Sequence, residues 1–250
     1  MFPSSAIAKD PSSRTVDLDP SDLGTQSYWD KAYERELANF EDTGDIGEIW
    51  FGEESVDKMI EWTIENLDDK YSRVLDVGCG NGHLLFELSS LGYRELTGLD
   101  YSQPSIDLAE AIVSKRTGEG DEDAKERISF MCADLFNLKP KDVNGGAFDL
   151  ILDKGTFDAI SLNPEQKAKR SSGAPGPMDQ YGPVIASLLR EDGILLITSC
   201  NWTKEELIAQ FSECLEYINH VKYPTFTFGG VTGQRITTVA FRRKESVTEA

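Results

Sequence analysis

The feature that most constrains this 250-residue chain is a run of alternating glycines at positions 74–82, Val-Leu-Asp-Val-Gly-Cys-Gly-Asn-Gly. The apolar residues before the glycines predict a buried strand, and leucines at positions 84, 85, 88 and 91 follow at helical spacing. Glycine suits a turn between them, because it adopts conformations closed to other residues and exposes bare main chain to a ligand. The run therefore predicts a strand, a ligand-binding turn and a helix.

The spacing of the glycines separates classes of ligand. A dinucleotide loop requires G-x-G-x-x-G and a phosphate loop requires G-x-x-x-x-G-K-[ST]. This chain instead has Asp76 followed by Gly78, Gly80 and Gly82. By itself the pattern leaves open an ordinary glycine-rich turn. It also resembles the first motif of the class I (seven-strand) S-adenosylmethionine-dependent methyltransferases, and that resemblance implies a loop facing the methionine and ribose of the cofactor.

Acidic residues end the next two predicted strands. Asp100 closes the segment Glu-Leu-Thr-Gly-Leu-Asp and lies 18 residues after Gly82, near the spacing at which nucleoside-binding α/β units carry an acid for the ribose hydroxyls. Asp134 follows the predicted strand at 128–132 and precedes the apolar Leu135. The resemblance implies that this pair meets the adenine. Asp100 or Asp134 alone could simply begin a loop. Together with Asp76, however, they place three acids at strand ends, which favours a nucleoside cofactor.

The fourth predicted strand, at 148–153, runs into Asp153-Lys-Gly-Thr-Phe-Asp158. Active sites of open parallel sheets form beyond the carboxyl ends of the strands. Methyl transfer to an amine needs that amine aligned and unprotonated, and a free lysine has a pKa of about 10.4. Because a carboxylate raises the pKa of a nearby amine, Asp153 and Asp158 are predicted mainly to position it. The alternative is that Asp153 caps the loop and Lys154 is solvated.

Several segments together resemble one narrower family. The chain lacks the Asn-Pro-Pro-Tyr type of motif found in enzymes that methylate nucleobases or glutamine. Over about residues 27–242 it resembles the eukaryotic family that methylates a lysine of translation elongation factor 1-alpha. The segments that carry this likeness are Tyr28-Trp-Asp30, Glu48-Ile-Trp-Phe-Gly-Glu-Glu54, Leu75-Asp-Val-Gly-Cys-Gly-Asn-Gly82, Asp153-Lys-Gly-Thr-Phe-Asp158 and Ser199-Cys-Asn-Trp202.

The resemblance implies a set of site residues. Asp153 and Asp158 are the predicted catalytic residues, with Asp153 facing the target lysine, and no metal is expected. Trp50 and the neighbouring Phe51 have two interpretations, because they either staple the N-terminal segment to the core or form a lid over the cofactor. The predicted S-adenosylmethionine contacts are Trp50, Asp76, Gly78, Gly80, Asn81, Gly82, Asp100, Tyr101, Asp134, Leu135 and Asp153.

Composition limits the partners. Asp and Glu number 44 against 25 Lys and Arg, a net charge of -19, which repels nucleic acids and argues against them as substrates. The four cysteines lack CxxC spacing, which predicts free thiols in a reducing compartment. No apolar run reaches membrane-spanning length, and the N-terminus lacks the apolar core of a signal peptide. The expected location is the cytoplasm, with the nucleus kept open as a second one, and a monomer is expected.

The predicted fold is an α/β Rossmann-like seven-stranded methyltransferase sandwich with a mostly parallel sheet and a C-terminal antiparallel hairpin. Residues 1–26 are predicted to form a disordered tail, 27–243 the domain and 244–250 a frayed end. A loop is predicted at 163–179. The expected activity is lysine methylation of elongation factor 1-alpha, and the alternatives are a small-molecule methyltransferase and a non-catalytic cofactor-binding scaffold.

Overall fold

The computed structural model describes residues 17–118, 120, 123–143, 145–223, 226–228, 231–233 and 236–244. Nine strands and nine α-helices lie in these residues. The strands are β1 Arg73–Val77, β2 Glu95–Asp100, β3 Ile128–Cys132, β4 Phe148–Lys154, β5 Leu189–Ser199, β6 Leu215–His220, β7 Phe226–Phe228, β8 Val231–Gly233 and β9 Thr237–Arg243. The helices are α1 Gln26–Thr43, α2 Gly52–Asn66, α3 His83–Ser90, α4 Gln103–Gly118, α5 Ala124–Arg127, α6 Thr156–Ser161, α7 Glu165–Ser171, α8 Pro177–Leu188 and α9 Lys204–Phe211.

Seven of the strands form one sheet in the order β3-β2-β1-β4-β5-β9-β6. The pairs β1/β2, β1/β4, β2/β3 and β4/β5 are parallel, whereas β9 is antiparallel to both of its neighbours. Successive residues of a strand point to opposite faces of a sheet, and both faces here are covered. One apolar cluster contains Leu75 with residues of α6, α8 and α9, and the other contains Val74 with residues of α1 to α4. The predicted α/β sandwich is confirmed.

The sheet topology decides where the site forms. From β1 the chain builds outward to β2 and β3 on one side and to β4 and β5 on the other. In open α/β sheets this reversal leaves a crevice beyond the carboxyl ends of the central strands. Val77 pairs with Asp153 in the β1/β4 register. Val77 and Asp153 are 76 residues apart in the sequence. The glycine run and the Asp-Lys-Gly-Thr segment nevertheless emerge side by side.

The C-terminal antiparallel hairpin is confirmed by the pairing of β6 with β9. The sequence predicts its strands at 216–228 and 234–242, joined by a turn at Gly229 and Gly230. The observed strands are shorter, because β7 and β8 form a separate two-stranded ribbon between them. The predicted turn residues Gly229 and Gly230 lie outside the described residues.

The prediction of a loop at 163–179 is wrong. Helix α7 occupies Glu165–Ser171, and α8 begins at Pro177. Arg170 forms ion pairs with Asp17 and Asp179 that hold this region together. The pair with Asp17, 153 residues away, cannot be predicted from local composition.

The start of the domain also differs from the predicted boundary at residue 27. Residues 17–26 contact the domain, since the Ser21 amide donates to the Leu162 carbonyl at 3.2 Å and the Lys167 ammonium contacts Asp19. Residues 1–16 and 245–250, where tails are predicted, lie outside the described residues. Within the described part of the chain no helix has the length and apolar character needed to cross a membrane.

The packing of the central strands predicts a strong contrast between two leucines. Leu195 on β5 is fully buried, whereas Leu91 after α3 is 44% exposed. Leu195→Ala should lower the free energy of unfolding by about 2–5 kcal/mol, because a core cavity is left behind. Leu91→Ala, the same chemical change, should cost less than about 1 kcal/mol. Urea unfolding followed by tryptophan fluorescence measures both, and equal losses would contradict the assigned core.

Candidate active site

The glycine loop is shaped by a contact between two strand ends. Gly78 and Gly80 have φ values of +66° and +55°, in the left-handed region that favours glycine. A Cβ at Gly78 would lie 2.1 Å from the Thr156 hydroxyl oxygen. That hydroxyl donates to the Val77 carbonyl at 2.6 Å. The absence of a side chain at Gly78 therefore allows the turn after β4 to bond to the end of β1.

Asp100 fixes the other side of the loop. Its carboxylate accepts a hydrogen bond from the Gly80 amide at 3.1 Å and another from the Ser102 amide at 3.0 Å. The side chain is buried, which raises its pKa even though these donors act in the opposite direction. The predicted acid at the end of β2 thus holds the glycine loop in place at the carboxyl edge of the sheet.

Asp76 and Lys154 form the charged floor of the site. Burial raises the pKa of Asp76 to about 7, while the charge of Lys154 acts to lower it. The pKa of Lys154 is lowered by burial, against the raising effects of Asp76 and Asp153. The Lys154 ammonium donates to the Trp50 carbonyl at 3.1 Å. Lys154 is therefore held by the protein, and the alternative of a solvated side chain is wrong.

Asp153 is completely buried and its carboxylate is fully engaged. It accepts hydrogen bonds from the amides of Thr156 at 2.9 Å and Phe157 at 3.0 Å, and from the Tyr181 hydroxyl at 2.5 Å. Burial raises the pKa of Asp153 to about 7, and the Tyr181 hydrogen bond opposes that rise. The carboxylate thus holds the turn at the start of α6, as the capping interpretation requires.

Asp158 holds the adjacent turn after β5. Its two oxygens accept from the Ser199 hydroxyl at 2.5 Å and the Cys200 amide at 2.9 Å. The Ser199 oxygen in turn accepts from the Trp202 amide at 3.0 Å. Burial raises the pKa of Asp158, and these donors oppose the rise. Both predicted catalytic carboxylates are therefore committed to turn geometry in this structure.

Trp50 and Phe51 lie across the turn that follows β4. Phe51 has a φ of +66°, which is uncommon for a bulky residue. Its ring is 2.9 Å from the position that a Cβ on Gly155 would occupy. The Trp50 ring packs edge-on against Trp29, with 5.0 Å between ring centroids. The stapling contacts are present, and the Phe51 contact puts the same segment against the turn that carries Asp153.

The other predicted cofactor residues lie near the glycine loop, and several of them contact other parts of the protein. The Asn81 side-chain amide donates to the Ile46 carbonyl at 2.9 Å, and the Tyr101 carbonyl accepts from the Gln26 side chain. Asp134 is exposed and caps a short 3-10 turn through the Phe136 amide. Leu135 is buried in the apolar core, and Gly82 lies against the ring of Phe130. Their cofactor contacts stay predictions.

The sequence did not predict two side chains, Tyr181 and Thr156, whose hydrogen bonds hold the predicted site residues in place. Tyr181 lies 28 residues after Asp153, on a helix whose apolar spacing predicts only packing. Thr156 belongs to the recognised Asp-Lys-Gly-Thr segment, but nothing in the sequence indicates its hydrogen bond to the Val77 carbonyl.

A separate surface groove of about 480 Å³ lies beside β6 and is lined by residues such as Lys58, Trp62 and His220. It contains none of the predicted site residues.

Comparison with known proteins gives consistent results. A family model described as a methyltransferase domain matches residues 68–244. EEF1A lysine methyltransferase 2 of Homo sapiens is 42% identical over 224 residues, covering 90% of this chain and 88% of that protein. Protein-lysine N-methyltransferase EFM4 of Saccharomyces cerevisiae is 40% identical over 235 residues, covering 91% and 97%.

Solved structures support the fold. N-methyltransferase NodS from Bradyrhizobium japonicum WM9, in complex with S-adenosyl-l-homocysteine, superposes with a TM-score of 0.58. The two chains are 19% identical, and the match covers 87% of this chain and 99% of NodS. Magnesium protoporphyrin IX methyltransferase from Synechocystis PCC 6803 gives a TM-score of 0.59 at 15% identity, covering 89% of this chain and 100% of that one. At these identities the likeness concerns the fold alone.

The buried Asp76 predicts a pH-dependent stability. Its pKa is about 7 in the folded protein and about 4 in an unfolded chain. Between these values the native state binds more protons, so the free energy of unfolding should fall as pH rises from about 4 to about 7. Asp76→Asn cannot ionise at this position, so its free energy of unfolding should fall less over the same pH range. Part of the fall should remain because Asp153 also has a raised pKa. Urea unfolding of the ligand-free proteins across this range tests the effect, and parallel curves would contradict it.

Proposed function

The chain belongs to the methyltransferase-domain family, and from that premise we propose that it transfers a methyl group from S-adenosylmethionine to a lysine ε-amine of elongation factor 1-alpha. The observation that carries the proposal is its identity of about 40%, over some nine-tenths of both chains, to curated proteins named for EEF1A lysine methylation or protein-lysine methylation. The small-molecule and scaffold alternatives have no comparable support.

The site described above fits this cofactor. Gly78 and Gly80 let the side chains of Thr156 and Tyr33 approach the loop at the end of β1. Asp100, which holds the Gly80 amide, is the predicted acceptor for the ribose hydroxyls. S-adenosylmethionine supplies an electrophilic methyl group on a positively charged sulfonium. Burial raises the pKa values of Asp76 and Asp100, so a nearby positive charge would favour their ionised forms.

The residues beside the proposed position of the target lysine, which accepts the methyl group, hold the turns after β4 and β5 in place. Lys154 pairs with Thr198 in the β4/β5 register, so the turns held by Asp153 and Asp158 lie next to each other. We propose that the target lysine approaches between these two turns. Its amine must arrive unprotonated and in line with the methyl group, and a desolvated pocket eases the loss of its proton. Asp153 and Asp158 contribute by keeping the turns rigid.

The remaining proposals concern the setting of the reaction. We propose a cytoplasmic location, with the nucleus as a second location, in keeping with the site of a translation factor. The net charge of -19 supports a protein substrate over a nucleic acid. We also propose that the enzyme acts as a monomer.

Methyl transfer to the purified substrate tests the proposed function. Radiolabelled S-adenosylmethionine, the recombinant enzyme and elongation factor 1-alpha should give a labelled protein, with the methyl group located on a lysine by peptide mass spectrometry. Label confined to small molecules or RNA of a cell extract would contradict the proposal.

Gly78→Ala should weaken S-adenosylmethionine binding about 10- to 100-fold, because it places a Cβ at positive φ beside Thr156. Gly92→Ala is the matched control, since Gly92 has a φ of +90° but open space around its Cβ position. Any strain at Gly92 should affect stability and leave cofactor affinity within about twofold. Calorimetric titration measures the affinities. Equal losses of affinity in both variants would contradict a role for the loop contact.

Asp153→Asn should lower kcat by about 10- to 100-fold. The reason is that an amide cannot accept from two main-chain donors and Tyr181 as the carboxylate does. Tyr181→Phe removes a single donor and should cost about tenfold or less. A kcat within about twofold of wild type in Asp153→Asn would contradict this role of the carboxylate.

A further inference from the structure

One face of α1 lies over the carboxyl ends of β1 and β2. Gln26, Asp30 and Tyr33 share this face, because residues three and four apart are neighbours on a helix. The Gln26 side chain donates to the Tyr101 carbonyl at 2.8 Å. Seven residues further along, the Tyr33 hydroxyl oxygen is 2.5 Å from the position that a Cβ on Gly80 would occupy. The helix therefore spans from the end of β2 to the glycine loop.

Asp30 lies between these two contacts and has an unsatisfied oxygen. Its Oδ1 atom is buried and has no hydrogen-bond partner among the described residues. Buried carboxylate oxygens are normally hydrogen-bonded, because desolvating them without a donor costs free energy. The pKa values of Tyr101 and Cys132, at the ends of β2 and β3, are raised chiefly by burial, and the charge of Asp30 contributes to both. Asp30 is one helical turn from Gln26 and three residues from Tyr33, so it lies on the face of α1 that covers the strand ends.

Tyr33 presents a second polar group to the same place. Its ring is buried and stacks on Trp29, with 6.1 Å between centroids, so the hydroxyl has a defined position. That hydroxyl makes no hydrogen bond within the described part of the chain. Asp100, whose carboxylate accepts from the Gly80 amide, is near enough to add to the effect of burial in raising the pKa of Tyr33. An acceptor and a donor without partners therefore flank the glycine loop.

We propose that Asp30 and Tyr33 bind S-adenosylmethionine, with the Asp30 carboxylate accepting a hydrogen bond from a ribose hydroxyl and the Tyr33 hydroxyl contacting the methionine part. This inference rests on the proposed function, because that function supplies the ligand. The ribose assignment follows from position, since Asp30 lies on α1 between the contact of Gln26 with Tyr101, the residue after Asp100, and the contact of Tyr33 with the glycine loop. The aromatic face of α1 accordingly combines packing with ligand binding.

Calorimetric binding of S-adenosylmethionine and S-adenosylhomocysteine tests the inference without relying on turnover. Asp30→Asn should weaken both ligands equally, by about 10- to 100-fold, because the lost hydrogen bond involves a charged acceptor and a neutral ribose. Tyr33→Phe should weaken both by about threefold to tenfold. Glu34→Gln is the matched control, since Glu34 is exposed on the same helix and undergoes the same change of charge. It should change affinity by less than about twofold.

Thermal denaturation of the ligand-free proteins separates binding from structure. If the buried Asp30 oxygen serves to bind a ligand, Asp30→Asn should melt at the wild-type temperature or above it, because no hydrogen bond within the protein is lost. A lower melting temperature would indicate a structural role and overturn the inference. Wild-type affinity in Asp30→Asn would also overturn it, as would a loss confined to S-adenosylmethionine, which would indicate attraction of the sulfonium charge. Failure of the wild-type protein to bind either ligand would instead overturn the proposed function.

Discussion

The hydrogen bond from the Thr156 hydroxyl to the Val77 carbonyl joins the two halves of the site. It is possible only because Gly78 has no side chain at the point where the Thr156 oxygen approaches. Through it the glycine loop after β1 and the turn after β4 become one rigid unit at the centre of the sheet. The glycine run and the Asp-Lys-Gly-Thr segment therefore depend on each other physically, although they are far apart in the sequence.

Around this unit the protein concentrates negative charge in a poorly solvated space. Asp76, Asp100 and Asp153 are buried at the same edge of the sheet, and burial raises the pKa of each of them. Lys154, bound to the Trp50 carbonyl, lies among them. Such an arrangement favours a ligand with a positive charge. The hydrogen bond from Lys154 to the Trp50 carbonyl also ties the buried charges to the N-terminal segment.

The carboxylates of Asp153 and Asp158 hold the two turns beside the proposed site of methyl transfer. Asp153 organises the start of α6, and Asp158 organises the residues after β5. Methyl transfer requires alignment more than proton abstraction by a strong base, so rigid turns are a suitable contribution from these residues. Tyr181 extends this framework into the core, because its hydroxyl reaches Asp153 from the middle of α8.

The sequence alone determined the α/β class, the central strands and the glycine loop, since apolar periodicity and glycine spacing are local signals. It also placed Asp76, Asp100 and Asp153 at strand ends, where the structure has them. Tertiary structure decided what these residues contact: the Thr156 and Tyr181 bonds, the helix at Glu165–Ser171 and the position of α1 over the loop. Those features depend on side chains that meet only after the sheet has assembled, and no local pattern specifies such distant pairs.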